Sequence, residues 1–390
     1  MKWTNKGHEY DKKKEFFEEY RDIYIWGAGV NGEYVAKTFL TLSIPVTFVD
    51  SNTMKQKNGF LGQSVIAPNQ LFDRENHCIV IVAANIENTE IIIRQLINNG
   101  FVKEVNCFAA DDFMQKEFPI YALYLYDKMY VNSICFLGTT VCNLNCDACL
   151  CHTSYNKNPK HRDLIELKED IDSFFAIFDY VNLLNYSGGE PLLYPYTAEI
   201  LDYIGEKYRN KIGVISISTN STIIPSDKLC EIIAKHRYVI SLNNYSEYVP
   251  KAREILPIII DKLNRYGIKY YVWSDKSVYW IDLAPFHTDN SNMSEDELIQ
   301  YRIRCSAPYK ELREKKIYSC AYASYAVKAE ILSESDNDSY RLEDFSIDKK
   351  KELIEFMAGF TQKGYVDFCK QCAGSVLINP YKKPVGRQSV

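Results

Sequence analysis

The chain has 390 residues, 46% hydrophobic and 25% charged, ordinary globular values that exclude long disorder and fibrous repeats. Its 46 basic and 51 acidic side chains leave a net charge of −5, which excludes a broadly basic nucleic-acid coat. No apolar run approaches the roughly 20 residues of a membrane helix, and the segment from Met1 to Glu9 is not an apolar signal. A cytoplasmic protein with no membrane span and no nucleic-acid partner is therefore expected.

The first 20 residues, with the charged stretch Lys12 to Arg21, predict a short amphipathic helix. Asp22 to Trp26 alternates as a strand and runs into Gly27-Ala-Gly29-Val-Asn-Gly32. A helix (Glu33 to Thr41) and a second strand (Val46 to Val49) follow, the latter ending in Asp50. Cys78 to Ala84 reads as a buried strand and Glu90 to Asn99 as a helix. Strands alternating with helices predict a parallel sheet for residues 21–118. Residues 119–133, rich in tyrosine, are read as a linker that packs between domains; an aromatic wall for sugars is the other reading. The chain holds 30 tyrosines in all.

From Ile134 a second series begins, with strands expected at 134–140, 180–186, 213–219, 238–242 and 268–272. The clearest helix between them, Lys251 to Tyr266, is stopped by Gly267. Such a run predicts a partial βα barrel over 134–300, with its site at the C-terminal ends of the strands. A loop-rich, cysteine-rich domain is expected over 301–390. The fold class is thus α/β: half of a Rossmann-type parallel sheet, a partial (βα)6 barrel, and a small cysteine-rich domain.

The chain carries 12 cysteines. In a reducing compartment they point to metal, catalysis or core packing rather than disulfides. Cys142-Asn-Leu-Asn-Cys146-Asp-Ala-Cys149 follows the first strand of the second series. Three thiolates at this spacing can each hold one iron of a cubane cluster, leaving the fourth iron for a small molecule. Zinc completed by Cys151 or His152 is the alternative. One βα unit later, Tyr186-Ser-Gly188-Gly189-Glu190-Pro191 joins paired glycines, which permit close approach, to a carboxylate that can accept from an ammonium group.

With both motifs in this order, residues 134–273 resemble the radical S-adenosylmethionine (SAM) superfamily. The resemblance implies a [4Fe–4S] cluster on Cys142, Cys146 and Cys149, with SAM bound at its open iron. It implies contacts from Gly188, Gly189 and Glu190 to the methionine amino group. Thr219 and Asn220 match the position that meets the SAM carboxylate and ribose, and Ser241 and Asn243 a ribose-binding position. Ala148 stands where many members carry an aromatic residue beside the adenine. An electron donor such as flavodoxin or ferredoxin is implied as partner. Cys151 is a candidate radical relay or hydrogen donor, beside its reading as a plain loop thiol.

Cys305, Cys320, Cys369 and Cys372 suffice for a second [4Fe–4S] cluster, with four-thiolate zinc as the alternative. The segment Glu314 to Cys320 resembles the hairpin that opens the SPASM or twitch auxiliary-cluster module. Lys315 takes the place of that hairpin's usual glycine, so another turn geometry is required. Cys78, Cys107, Cys135 and Cys230 read as core residues.

Gly27, Gly29, Gly32 and Asp50 reproduce the dinucleotide fingerprint in a strand–turn–helix context. Nucleotide binding and a purely structural role both fit it. These readings together predict a radical SAM enzyme acting on a sugar or nucleotide-linked sugar by oxidation, dehydration or epimerisation. The alternatives are a radical SAM peptide maturase and a non-catalytic iron–sulfur or zinc module.

Overall fold

The computed structural model describes residues 1–72, 77–273, 279–283, 288–305, 309–375, 379 and 381–389. The expected loop-rich tail to Val390 includes 306–308, 376–378, 380 and 390, which lie outside the described residues. The chain divides into two units: residues 7–132 with 178–182, and residues 1–6, 133–177 and 183–390. Among the described residues, no helix is long and apolar enough to cross a membrane.

The N-terminal unit holds β1 (Asp22–Trp26), β2 (Thr47–Val49), β3 (Val65–Ile66), β4 (Cys78–Val82) and β5 (Cys107–Ala109) in one sheet of order β3-β2-β1-β4-β5. Its neighbours all pair in parallel. β4 reads Cys-Ile-Val-Ile-Val and is buried along its length, as a strand covered on both faces must be. The helices Val30–Thr41 and Ile86–Asn98 are longer at their N-termini than the apolar pattern indicated. The difference at the second comes from Asn85, whose side chain caps the helix by accepting from Asn88 N.

Residues 119–133 do not form a linker. They contain most of the helix Phe118–Tyr126 and the start of the next strand. The helix is apolar on all sides, which removes the 3.6-residue signal and matches a buried helix. Tyr121 is fully buried against Phe17 and Phe113 of the same unit, so it is core rather than an open aromatic wall.

The second series supplies β6 (Tyr130–Leu137), β7 (Tyr180–Ser187), β8 (Ile212–Thr219), β9 (Val239–Asn243) and β10 (Lys269–Trp273). They lie in chain order in one sheet, and β8, β9 and β10 pair in parallel. Connecting helices include Leu164–Ile177, Thr197–Tyr208, Asp227–His236 and Pro250–Arg265. A sixth βα strand was expected. Instead β11 (Tyr279–Ile281) pairs antiparallel with the late strand β15 (Lys382–Pro384) in a separate two-stranded sheet. The place beside β6 goes to β12 (Glu311–Arg313), parallel to it, followed by antiparallel β13 (Lys316–Tyr318) and β14 (Ser339–Arg341).

The β12–β13 hairpin shows how a turn without glycine is held. Glu314 and Lys315 both take positive φ, 51° and 53°, a conformation that costs an L-residue about 1–2 kcal/mol. Both of their backbone N–H groups donate to the Asp170 carboxylate, at 2.9 and 2.8 Å. Asp170 is buried and pairs with Arg162 at 2.8 Å.

Candidate functional site

The three-cysteine loop leaves the C-terminal end of β6, and the following strand ends converge on it through hydrogen bonds. Gly189 N donates to Thr139 O at 2.9 Å and Glu190 N to Val141 O at 2.8 Å. A Cβ at Gly188 would sit 2.4 Å from Thr139 O, and one at Gly189 2.2 Å from Val141 O. The close approach that these glycines permit is therefore made by the chain's own backbone, on the segment leading to Cys142.

Glu190 is completely buried. Its Oε1 accepts from Leu192 N (3.0 Å) and Thr219 Oγ1 (2.8 Å), and its Oε2 from Asn220 N (2.8 Å). Burial raises its carboxyl to about 7 against the lowering effect of these three donors. In this structure the carboxylate ties the end of β7 to that of β8. The Asn220 amide in turn donates to Asn143 Oδ1 at 2.9 Å and lies 3.8 Å from Cys142 Sγ. Asn243 Nδ2 donates to Thr219 O at 2.9 Å, and Ser241 Oγ accepts from Trp273 Nε1 at 2.7 Å. Thr219, Asn220, Ser241 and Asn243 thus stand at neighbouring strand ends, where the sequence put them.

The thiols differ. Burial pushes Cys142 up to about 11 and Cys146 up to about 12. Cys149 is lowered to about 6, first by a hydrogen bond from Cys151 and also by Thr153, whose Oγ1 is 3.3 Å away. Ala148 is buried. His152 is buried with φ 52° and has neither ring nitrogen hydrogen-bonded. Burial lowers it to about 4.

Sequence reasoning missed the segment 381–389, which returns to this loop. Gln388 Oε1 accepts from Asn145 N (2.8 Å) while its Nε2 donates to Cys146 Sγ (3.3 Å). Asp147 N donates to Arg387 O and Ser389 N to Asn145 O, both at 2.7 Å. Lys383 pairs with Asp147 at 3.4 Å and Asp282 at 3.6 Å. A polar run with Pro384 and Gly386 carries no periodicity, so nothing in the sequence announced it.

Cys320, Cys369 and Cys372 share one buried cluster, and the electrostatic neighbours of Cys320, Cys369 and Cys372 include Cys305. The turn between Cys369 and Cys372 is clamped by Asn290, whose Nδ2 donates to both of their carbonyls (2.9 and 3.1 Å), and by Tyr301 Oη, which donates to Cys372 O (2.7 Å). Cys78, Cys107, Cys135 and Cys230 are buried.

Among the described residues, the one group of three or more ligand atoms within 4.8 Å of one another is Asp202, Glu206 and His236. Lys235 already supplies a cation there, 3.1 Å from Asp202 and 2.5 Å from Glu206.

In the N-terminal unit, a Cβ at Gly27 would meet Ala83 O at 2.6 Å and one at Gly32 would meet Gly27 O at 1.7 Å, whereas Gly29 faces open space. Asp50 Oδ2 accepts from Ala28 N (2.8 Å) and Oδ1 from Asn52 N (2.9 Å). The carboxylate expected to meet a ribose thus holds the glycine turn.

Residues 136–273 match the model of the Radical SAM superfamily. The matched segment contains the three-cysteine loop, Gly188 to Glu190, and the strand ends from Thr219 to Trp273. No curated protein matches the chain. Among solved structures the chain is similar to SuiB of Streptococcus suis bound to S-adenosylmethionine, at 15% identity and TM-score 0.32 over 50% of this chain. It spans about half, 47%, of the SuiB chain. It is also similar to BtrN in complex with AdoMet and 2-DOIA (14%, TM-score 0.37, covering 67% of this chain and 96% of that one). A third is anSMEcpe with bound AdoMet and the Kp18Cys peptide (14%, TM-score 0.38, 66% and 92%).

Proposed function

We propose that the protein is a radical SAM enzyme whose first [4Fe–4S] cluster is held by Cys142, Cys146 and Cys149. The observation that carries this reading is the Cys-x3-Cys-x2-Cys loop inside the matched domain, hydrogen-bonded to the C-terminal ends of its successive strands.

When bound, such a cluster supplies one electron to the sulfonium of SAM, releasing methionine and a 5′-deoxyadenosyl radical that abstracts hydrogen from substrate. The protein's own contribution is orientation. Gly188 and Gly189 let β7 run against the cysteine loop, Glu190 locks β7 to β8, and Asn220 fixes Asn143 beside Cys142. In this reading the methionine amino group meets the Gly188 to Glu190 segment, and Thr219, Asn220, Ser241 and Asn243 line the carboxylate and ribose side. Cys305, Cys320, Cys369 and Cys372 hold a second [4Fe–4S] cluster in a twitch-like module. A small flavodoxin- or ferredoxin-type protein supplies electrons. The substrate is a sugar or nucleotide-linked sugar, a reading that rests on the glycine turn of the N-terminal unit, where Gly29 leaves one face open.

The test is anaerobic reconstitution followed by iron counting and detection of 5′-deoxyadenosine with dithionite. About eight irons are expected, four per cluster. Replacing Cys142, Cys146 and Cys149 together by Ala should remove about half of the iron and all SAM cleavage. Cleavage that survives this triple change would overturn the assignment. Nucleotide sugars and peptides offered side by side then decide between a sugar substrate and the peptide-maturase alternative.

A further inference from the structure

The four-cysteine site contains a cation for which the domain assignment has no role. Arg302 lies in the last turn of the helix Glu295–Arg304, whose start is fixed by a capping box of Ser294 and Glu297. Its side chain points into the interior and is only 8% exposed. Nη2 donates to Ser319 O, the carbonyl just before Cys320, at 3.0 Å. Among the described residues no ion pair joins Arg302 to a carboxylate. Its ionisable neighbours are instead the thiols of Cys320, Cys369 and Cys305. Lys310 also lies beside Cys320. The nearby Glu311 is already paired with Lys328 at 2.9 Å.

A buried guanidinium costs several kcal/mol unless an anion compensates it. Protonated thiols are neutral and supply no such anion. Compensation arises only when the four sulfurs become thiolates, which is what metal binding requires of them. A four-thiolate iron cluster is a net anion, and the charge around it sets its reduction potential.

We propose that Arg302 is the charge-bearing positioning residue of the four-cysteine site: it holds the anionic metal–thiolate group and raises its reduction potential. This rests on the second-cluster reading above. The reduced cluster carries one more negative charge than the oxidised one, so a fixed positive charge beside it stabilises the reduced form more. Lys310 adds to the same field but shares it with Cys135.

The experiment uses the full chain with Cys142, Cys146 and Cys149 replaced by Ala, so that the second site is observed alone. Iron content and the midpoint of a dithionite titration followed by electron paramagnetic resonance are measured for Arg302, Arg302→Lys and Arg302→Gln. About four irons are expected in each, with a more negative midpoint for Arg302→Gln and one closer to the parent for Arg302→Lys. Loss of iron from Arg302→Gln alone also supports the proposal, because the lysine variant retains the charge. A full complement of iron with an unchanged midpoint in Arg302→Gln overturns it and spares the second cluster. Equal loss of iron from both variants shows a packing role and likewise overturns it. A parent without iron at this site removes the second-cluster reading and the proposal together.

Discussion

Around Cys142, Cys146 and Cys149 the hydrogen-bond partners are neutral: the amides of Asn220, 3.8 Å from Cys142, and Gln388, 3.3 Å from Cys146, donate to sulfur, and the Thr153 hydroxyl accepts from Cys149 Sγ at 3.3 Å. A buried carboxylate, Glu190, raises Cys142 further. Around Cys305, Cys320 and Cys369 the facing group is the guanidinium of Arg302, with Lys310 beside Cys320. The same ligand atoms are thus set in fields of opposite character. Clusters respond to charge and to hydrogen bonds at their sulfurs, so with the proposed clusters in place the loop would favour the lower potential and the four-cysteine site the higher. The difference teaches that cysteine spacing marks where a metal group can be held, while the surrounding side chains, scattered through the sequence, set the field around it.

The sharpest way to break this contrast is to detach one region and leave the other. Asp170 holds the turn that leads into β13 and Cys320, and it also neutralises Arg162, whose side chain is 9% exposed. Asp170→Ala leaves a nearly buried guanidinium unpaired and two turn N–H groups without their acceptor. Removing one partner of a buried pair costs about 3–5 kcal/mol. Denaturant melts should show a loss of that size, and reconstituted protein should lose iron from the four-cysteine site in preference to the loop. Equal loss at both sites would show that the two do not depend on separate scaffolding.

The parts that sequence made legible and the parts it hid divide along a physical line. The strands at the centre of each sheet were visible because burial imposes runs such as Cys78 to Val82 or alternation such as that of β8. The cysteine spacings were legible because ligands close in sequence must also be close in space. The roles of Asp170, Gln388 and Arg302 were not. Asp170 acts on a turn 144 residues away and Gln388 on a sulfur 242 residues away, and single polar residues carry no periodicity. Glu190 was read as a group open to a ligand because its place in the motif was visible while its three internal donors were not. Asp50 was read as a ribose ligand for the same reason.

Glu190 offers a test of intermediate size, on the side of the comparison where a buried acid replaces buried cations. Burial raises its folded-state carboxyl from 4.5 to about 7. A raised acid stabilises the fold fully below its unfolded value, and the contribution is lost as pH rises through about 7. At about 1.4 kcal/mol per unit this amounts to about 3 kcal/mol between pH 4 and 8. Glu190→Gln cannot ionise, and it turns an amide N–H2 toward either Asn220 N or the donors on Oε1, a mismatch worth about 1–3 kcal/mol. The metal-free variant should therefore be less stable than wild type at pH 5.5, and the gap should close by pH 8.5. Parallel stability curves over this range would show that the carboxyl does not titrate there.

The smallest effect is expected at Gln388, where the comparison turns on one hydrogen bond. Its amide bridges Asn145 N and Cys146 Sγ, and the neighbouring backbone bonds from Asp147 to Arg387 and from Ser389 to Asn145 remain when the side chain is changed. Gln388→Leu preserves bulk and the segment's packing, where Gly386 lies against Tyr245, and removes the donor to Cys146 Sγ and Gly386 O and the acceptor for Asn145 N. A net loss of about 1 kcal/mol per neutral hydrogen bond is expected in stability, with the loop's iron retained. The N–H donor draws charge from the sulfur and so favours the reduced cluster. Its removal should therefore move the loop cluster's midpoint to a more negative value, by less than Arg302→Gln moves the other. The order of these two shifts is the decisive reading. A larger shift from Gln388→Leu would mean that hydrogen bonds at sulfur outweigh a buried charge, and the contrast between the two cysteine sets would have to be redrawn in those terms.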